Sequence, residues 1–138
     1  MDYVINNLLP SHEALQELYL SVGWHIYVAR NKNMQLLLKN AYTYVTAWHD
    51  EQLIGLCRVI SDGLTIAYIQ DILIRPEFQN KGLGSHLIKD ISQQLEGIRQ
   101  IVLITDATSK TIAFYEANQL KVLDKYGCVG FMKLNDNL

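Results

Sequence analysis

At 138 residues, 49% of them hydrophobic, the chain has the length for one well-packed domain, 1–138, and not for two ordinary ones. Its 12 basic and 14 acidic side chains give a formal charge of −2, which offers no electrostatic footprint for nucleic acid or an anionic membrane. No run of about 18 apolar residues occurs, and "MDYVINNLLP" lacks a basic stretch ahead of an apolar one, so a soluble, unexported, cytoplasmic protein is expected.

"DYVIN" has the composition of a short strand. In "LPSHEALQELYLSV", Ala14, Leu15, Leu18, Tyr19 and Val22 recur at helical spacing, with Ser11 as the cap and Glu13 in the first turn. "GWHIYVARNKN" breaks the pattern and reads as an aromatic-bearing loop, before a short helix in "MQLLLKNA". From Tyr42 the period becomes that of strands: "YTYVTAW", "LIGLCRVI" and "LTIAYIQDILI" form an antiparallel meander. Asp62-Gly63 is a two-residue hairpin signal, which makes paired residue numbers sum to about 125 and sets Asp71 opposite Ile54 and Arg58 opposite Ala67.

A helix follows with Leu83, Leu87, Ile88, Ile91 and Leu95 inward, ending near Gly97, and then the buried strand "QIVLIT", parallel to the strand before the helix. "SKTIAFYEANQL" is a last helix capped by Thr108 or Ser109, and "KVLDKYGCVGFMKL" reads as a final hairpin turning near Tyr126-Gly127. Free edges on that hairpin would suit pairing with a second copy, giving a homodimer. The order β-α-α-β-β-β-α-β-α-β-β is that of an α+β, or mixed α/β, layer fold. Cys57 and Cys128 are far apart and without metal-ligand spacing, so neither zinc site nor disulfide is signalled; two reduced, buried thiols are expected.

The chemistry concentrates in "IRPEFQNKGLGSHLI", residues 74–88. A strand, then Gln79-Asn80-Lys81-Gly82-Leu83-Gly84-Ser85, then a helix aims unpaired backbone N–H groups and the positive end of a helix dipole at one spot, which suits a phosphate. Gly82 and Gly84 remove Cβ atoms from the approach and Lys81 adds positive charge. The P-loop signature is absent, and Leu87 occupies the last glycine of the dinucleotide fingerprint, so neither an NTPase nor a dinucleotide enzyme is supported. A bare glycine-bearing helix start is the competing reading of the turn alone.

"YIQDILIRPEFQNKGLGSHLI" resembles the acetyl-CoA-binding segment of the GCN5-related N-acetyltransferases, sharply at Gln79, Gly82 and Gly84, and "AFYEANQL" resembles that family's second signature. The resemblance covers the chain in element order and implies the acyl-CoA N-acyltransferase fold, with acetyl-CoA as co-substrate, no metal, and a small-molecule or peptide amine as acceptor. "GWHIYVA" and "CRVISDG…AYIQDI" are similar to the small-amine, aralkylamine-type branch.

On residues, the resemblance implies that the strand at Ile72, Leu73 and Ile74 splays from its neighbour and pairs with pantetheine amides, Leu73 N–H polarising the acetyl carbonyl as an oxyanion donor. It implies that the N–H groups of Gln79 to Ser85 hold the pyrophosphate, that Phe114 contacts the cofactor, and that Tyr115 protonates the departing thiolate. Gln119-Leu120 stands where Gly-Phe is usual, which alters the helix exit.

Asp71, between Ile69 and Leu73 on one strand face, must be paired or held neutral in such company; base, amine anchor and structural acid remain open for it. Trp24, His25 and Tyr27 lie where the family's acceptor lid usually is, and Trp24 and Tyr27 would suit an apolar or aromatic amine, although core packing is the commoner use of such rings. The expected activity is acetyl transfer from acetyl-CoA to a primary amine by direct attack in a ternary complex, neither cysteine being placed as a nucleophile. The rivals are an acyl-CoA-binding regulatory module without turnover and a protein or peptide N-acetyltransferase.

Overall fold

In the computed structural model, which describes residues 2–135, two compact units are formed, dividing after Ile104. The first runs β1 (Val4–Asn6), α1 (His12–Ser21), α2 (His25–Arg30), α3 (Gln35–Lys39), β2 (Thr43–His49), β3 (Gln52–Ser61), β4 (Ile66–Ile74), a 3-10 turn Pro76–Phe78, α4 (Leu83–Gln94) and β5 (Gln100–Leu103). Its five strands form one sheet in chain order, antiparallel from β1 to β4 and parallel between β4 and β5. The α+β class and mostly antiparallel sheet are as the sequence implies.

Helix α1 starts where Ser11 Oγ accepts the Ala14 N–H at 3.1 Å, and it buries Leu15, Leu18 and Tyr19 against Leu53, Leu56 and Leu73 of the sheet, with Met34 and Leu38 closing the cluster. Helix α4 buries Leu83, Leu87, Ile88 and Ile91. It comes so close to the sheet that a Cβ on Gly55 would lie 3.4 Å from Leu87 Cδ1. No helix among the described residues is long and apolar enough to cross a membrane.

Several expectations need correction. The segment after Gly23 is not a loop but helix α2, with Trp24 at its N-cap. The turn after β3 is longer than two residues: Asp62 Oδ1 accepts the N–H groups of Leu64, Thr65 and Ile66, building a wide loop around its own carboxylate. These backbone donors hold the Asp62 carboxyl well below its ordinary range. The register moves with the loop, so Arg58 pairs with Asp71 and Ser61 with Ala67, and a bulge falls between Arg58 and Val59.

The final hairpin is absent: in the second unit α5 (Ser109–Ala117) is followed by a 3-10 turn, Leu123–Tyr126, and residues 127–135 join no strand. No described residue of that unit is buried, so a strand there would have no covered face to reward its pairing. The homodimer inferred from the hairpin's edges loses its ground. Cys57 is buried as expected, but Cys128 is exposed.

Candidate active site

The free length of β4 defines the site. Its pairing with β5 covers only Ile66 to Ile69, against Gln100 to Leu103, while β4 continues to Ile74. From Asp71 onward its β3 side is paired, and from Gln70 onward its other side has no sheet partner among the described residues. In an antiparallel ladder, successive residues direct their N–H and C=O groups alternately to the two sides. Arg75 N–H donates to Ile54 O on β3 at 2.8 Å, so the N–H groups of Leu73 and Asp71, two and four residues back, also face β3. Ile74 O faces the other way and accepts from Gln79 Nε2 at 2.9 Å. The free donors of this edge are therefore on Ile72 and Ile74. Leu73 N–H, assigned from the motif as oxyanion donor, is spent inside the sheet.

The turn to α4 is tied down at both ends. Arg75 Nε donates to Leu53 O at 2.8 Å, and the Gln79 amide reaches back to the strand end. The Gln79 N–H is used within the turn, donating to Pro76 O at 3.2 Å, which removes it from the predicted phosphate donors. Asn80 and Gly82 adopt left-handed φ of 62° and 85°. A Cβ on Gly82 would touch nothing within 4 Å, so here glycine answers the backbone angle and leaves the approach open. Helix α4 begins at Leu83 without a side-chain cap, its first-turn N–H groups aimed past Gly82 beside the exposed Lys81.

Beneath the strand lies the predicted acid. Asp71 is 1% exposed and both its oxygens are engaged: Oδ2 accepts from Arg58 Nε at 2.6 Å and from Tyr19 Oη at 2.7 Å, Oδ1 from Tyr27 Oη at 2.8 Å. Burial, and then the Asp71 charge, push both phenols above their ordinary range. Burial pulls the Arg58 guanidinium down, but Asp71 more than offsets it and the net direction is up. Burial also raises the Cys57 thiol, with Asp71 adding to it, which leaves that sulfur protonated and a poor nucleophile.

Tyr27 stacks on Trp24 with ring centroids 5.7 Å apart and planes 24° from parallel, and packs against Tyr19 at 5.1 Å. The structure thus joins Trp24, Tyr27 and Asp71 in one cluster and adds Tyr19, Arg58 and Gln70, whose Nε2 donates to Tyr27 Oη at 3.0 Å. Sequence reasoning missed these three because the hairpin register concealed the Arg58–Asp71 pair and Tyr19 reads as core. His25 is exposed, and His12 accepts the Met34 N–H at 3.0 Å. A surface hollow of about 440 Å³ lies elsewhere, lined by Tyr3, Ile5, His86, Lys89, Asp90 and Gln93, and holds none of the predicted site residues.

In the second unit, α5 is capped by Thr108, whose side chain accepts the Thr111 N–H, and carries Phe114 and Tyr115, both half-buried with rings edge to face at 5.0 Å. Gln119 takes φ 74°, the left-handed exit a glycine would give, and Leu120 N–H closes onto Tyr115 O at 3.1 Å. The departure from Gly-Phe therefore keeps the exit and stores strain.

Comparisons with known proteins bear on the family and the fold. Residues 9–119 match a family model described as "Acetyltransferase (GNAT) family". The uncharacterized N-acetyltransferase ycf52 of Gracilaria tenuistipitata var. liui is 33% identical over 118 residues, 80% of this chain and 62% of that protein. A ycf52-like protein of Prochlorococcus marinus is 34% identical over 109 residues, 75% of this chain and 58% of its own length. The chain thus spans less than two thirds of these curated relatives. Among solved structures, a GNAT-family acetyltransferase of Streptococcus pneumoniae TIGR4 superposes with a TM-score of 0.83 at 26% identity, covering 97% of each chain. The PaiA N-acetyltransferase of Thermoplasma acidophilum, solved in complex with coenzyme A, shares the fold with a TM-score of 0.68 at 20% identity, over 86% of this chain and 89% of that one.

Proposed function

We propose, from the premise that the chain belongs to the acetyltransferase (GNAT) family, that it moves an acetyl group from acetyl-CoA to a primary amine by direct attack in a ternary complex. The observation that carries this reading is the unpartnered edge of β4 beyond Ile69 running into an uncapped helix start at Gly82. Such an edge accepts an extended amide-bearing chain as an added strand, and such a helix start accepts a phosphate. The coenzyme A bound by the Thermoplasma protein of the same fold supports the donor class.

Ile72 and Ile74 would offer N–H groups to the pantetheine arm and the thioester carbonyl, and Asn80 to Ser85 would hold the pyrophosphate. What acetyl-CoA supplies is an activated carbonyl. The amine nitrogen forms the new N–C bond, the C–S bond breaks, the nitrogen loses a proton and the thiolate gains one. The roles of Tyr115 as the acid for the thiolate and of Phe114 as a cofactor contact rest on the second motif. Asp71 is assigned to positioning, since both its oxygens are occupied by fixed donors.

Release of free thiol from acetyl-CoA, followed across free amines and a lysine peptide, tests the reading. Amine-dependent release, greater with free amines than with peptide, is expected. Tight coenzyme A binding with no release under any acceptor would replace the reading by that of a binding module.

A further inference from the structure

The shift between Arg58 and Val59 leaves Gln70 without a partner on β3, since Arg58 faces Asp71 and Val59 faces Ile69. Its side chain meets the Tyr27 hydroxyl of α2 at 3.0 Å, and the same hydroxyl donates to Asp71 Oδ1 at 2.8 Å. A phenol oxygen carries one proton and two lone pairs. The proton is committed to Asp71 and one lone pair to the Gln70 amide; among the described residues no contact claims the second. Donation to a carboxylate makes that oxygen a stronger acceptor.

Every neighbour of this oxygen is itself held. Arg58 Nε and Tyr19 Oη fix the carboxylate, and the Trp24 stack fixes the ring. The bond from Gln70 lies at the surface, whereas that to Asp71 is partly buried, so the chain of bonds ends at its accessible side. Along β4, Gln70 precedes the free Ile72 N–H by two residues, about 7 Å of strand. Burial and Asp71 keep the phenol protonated, so it serves as a hydrogen-bonding group and not as the base.

We infer that the second lone pair of the Tyr27 hydroxyl receives an N–H of the incoming amine, and that Gln70 is the positioning residue that orients it. The ligand class is then an amine bearing at least one N–H beside a group that can lie on the Trp24–Tyr27 face, where a cation is also favoured. This rests on the acetyl-transfer reading for its meaning, but binding alone tests it.

The experiment uses the full chain with Trp48→Phe, which leaves Trp24 as the single tryptophan, and follows its fluorescence on titration with 2-phenylethylamine, with N-acetyl-lysine amide, and with trimethyl(2-phenylethyl)ammonium, which has no N–H. Gln70→Met keeps the length without adding charge, lies at an exposed position and cannot donate to the phenol. It is expected to weaken binding of the primary amines about 3- to 10-fold, the worth of one hydrogen bond, while leaving the quaternary ion and coenzyme A unaffected. Equal effects on primary and quaternary ligands, no effect on either, or no saturable response to any primary amine would overturn the inference. Should the expected binding pattern appear without any thiol release, the acetyl-transfer reading falls and the amine site stands.

Discussion

Replacing Arg58 by methionine removes the cation from a carboxylate that has no route to water. The Asp71 side chain is 0% exposed and that of Arg58 only 9%, at 2.6 Å. Two phenol donors remain, but hydrogen bonds do not neutralise a charge. Breaking a buried pair on one side costs about 3–5 kcal/mol, against roughly 5–15 kcal/mol for a whole domain. The urea midpoint should fall by about a third or more, and the melting temperature by about 10 °C. Urea unfolding, followed by tryptophan fluorescence and with the slope checked for constancy, measures this. Adding Asp71→Asn to Arg58→Met removes the stranded charge and should recover part of the loss, so that the double variant is more stable than Arg58→Met alone. A loss below about 1 kcal/mol for the single variant, or a double variant whose cost equals the sum of the singles, refutes the buried-pair account.

Tyr115→Phe should lower kcat by about 10²-fold or more at neutral pH with little change in the KM for acetyl-CoA, as removal of a general acid does; an unchanged kcat would remove the proposed acid. Gln119→Gly should stabilise the chain by about 0.5–1 kcal/mol in urea unfolding, because φ 74° strains any residue with a Cβ; a destabilised variant would show that the exit does not need that angle. Tyr19 and Tyr27 have folded pKa values raised above the ordinary phenol value, so the unfolded chain ionises first as pH rises past about 10. Their contribution to stability is complete below that pH and is lost above it; Tyr19→Phe should flatten the fall in urea midpoint between about pH 9.5 and 11, and an equally steep fall would refute the assignment.

What the residues alone disclose is set by how local the cause is. Ser11 followed by an apolar stripe specifies α1, and the glycine turn specifies where α4 starts, because caps and φ preferences act within a few residues. The meander's strands were legible for the same reason, as alternation against one covered face. Pairing register was not, because it depends on one loop. Asp62-Gly63 looks like the centre of a two-residue turn, yet the Asp62 carboxylate gathers three downstream N–H groups and widens it. That choice turns Arg58 from a partner of Ala67 into the partner of Asp71.

The same loop decides which residues of β4 face the open edge. Ladder parity is invisible in side chains, since Ile72, Leu73 and Ile74 are alike in chemistry and differ only in which way their N–H groups point. The oxyanion donor inferred from the motif, Leu73, therefore stands one residue away from the N–H groups that face the open edge. Asp71 shows the complementary effect. Read as a lone acid among apolar neighbours it admits three roles, whereas the fold surrounds it with donors from Arg58, Tyr19 and Tyr27 and engages both its oxygens. On the proposed reading its influence on the acceptor passes through the tyrosine it holds, which moves recognition from a charge to a phenol.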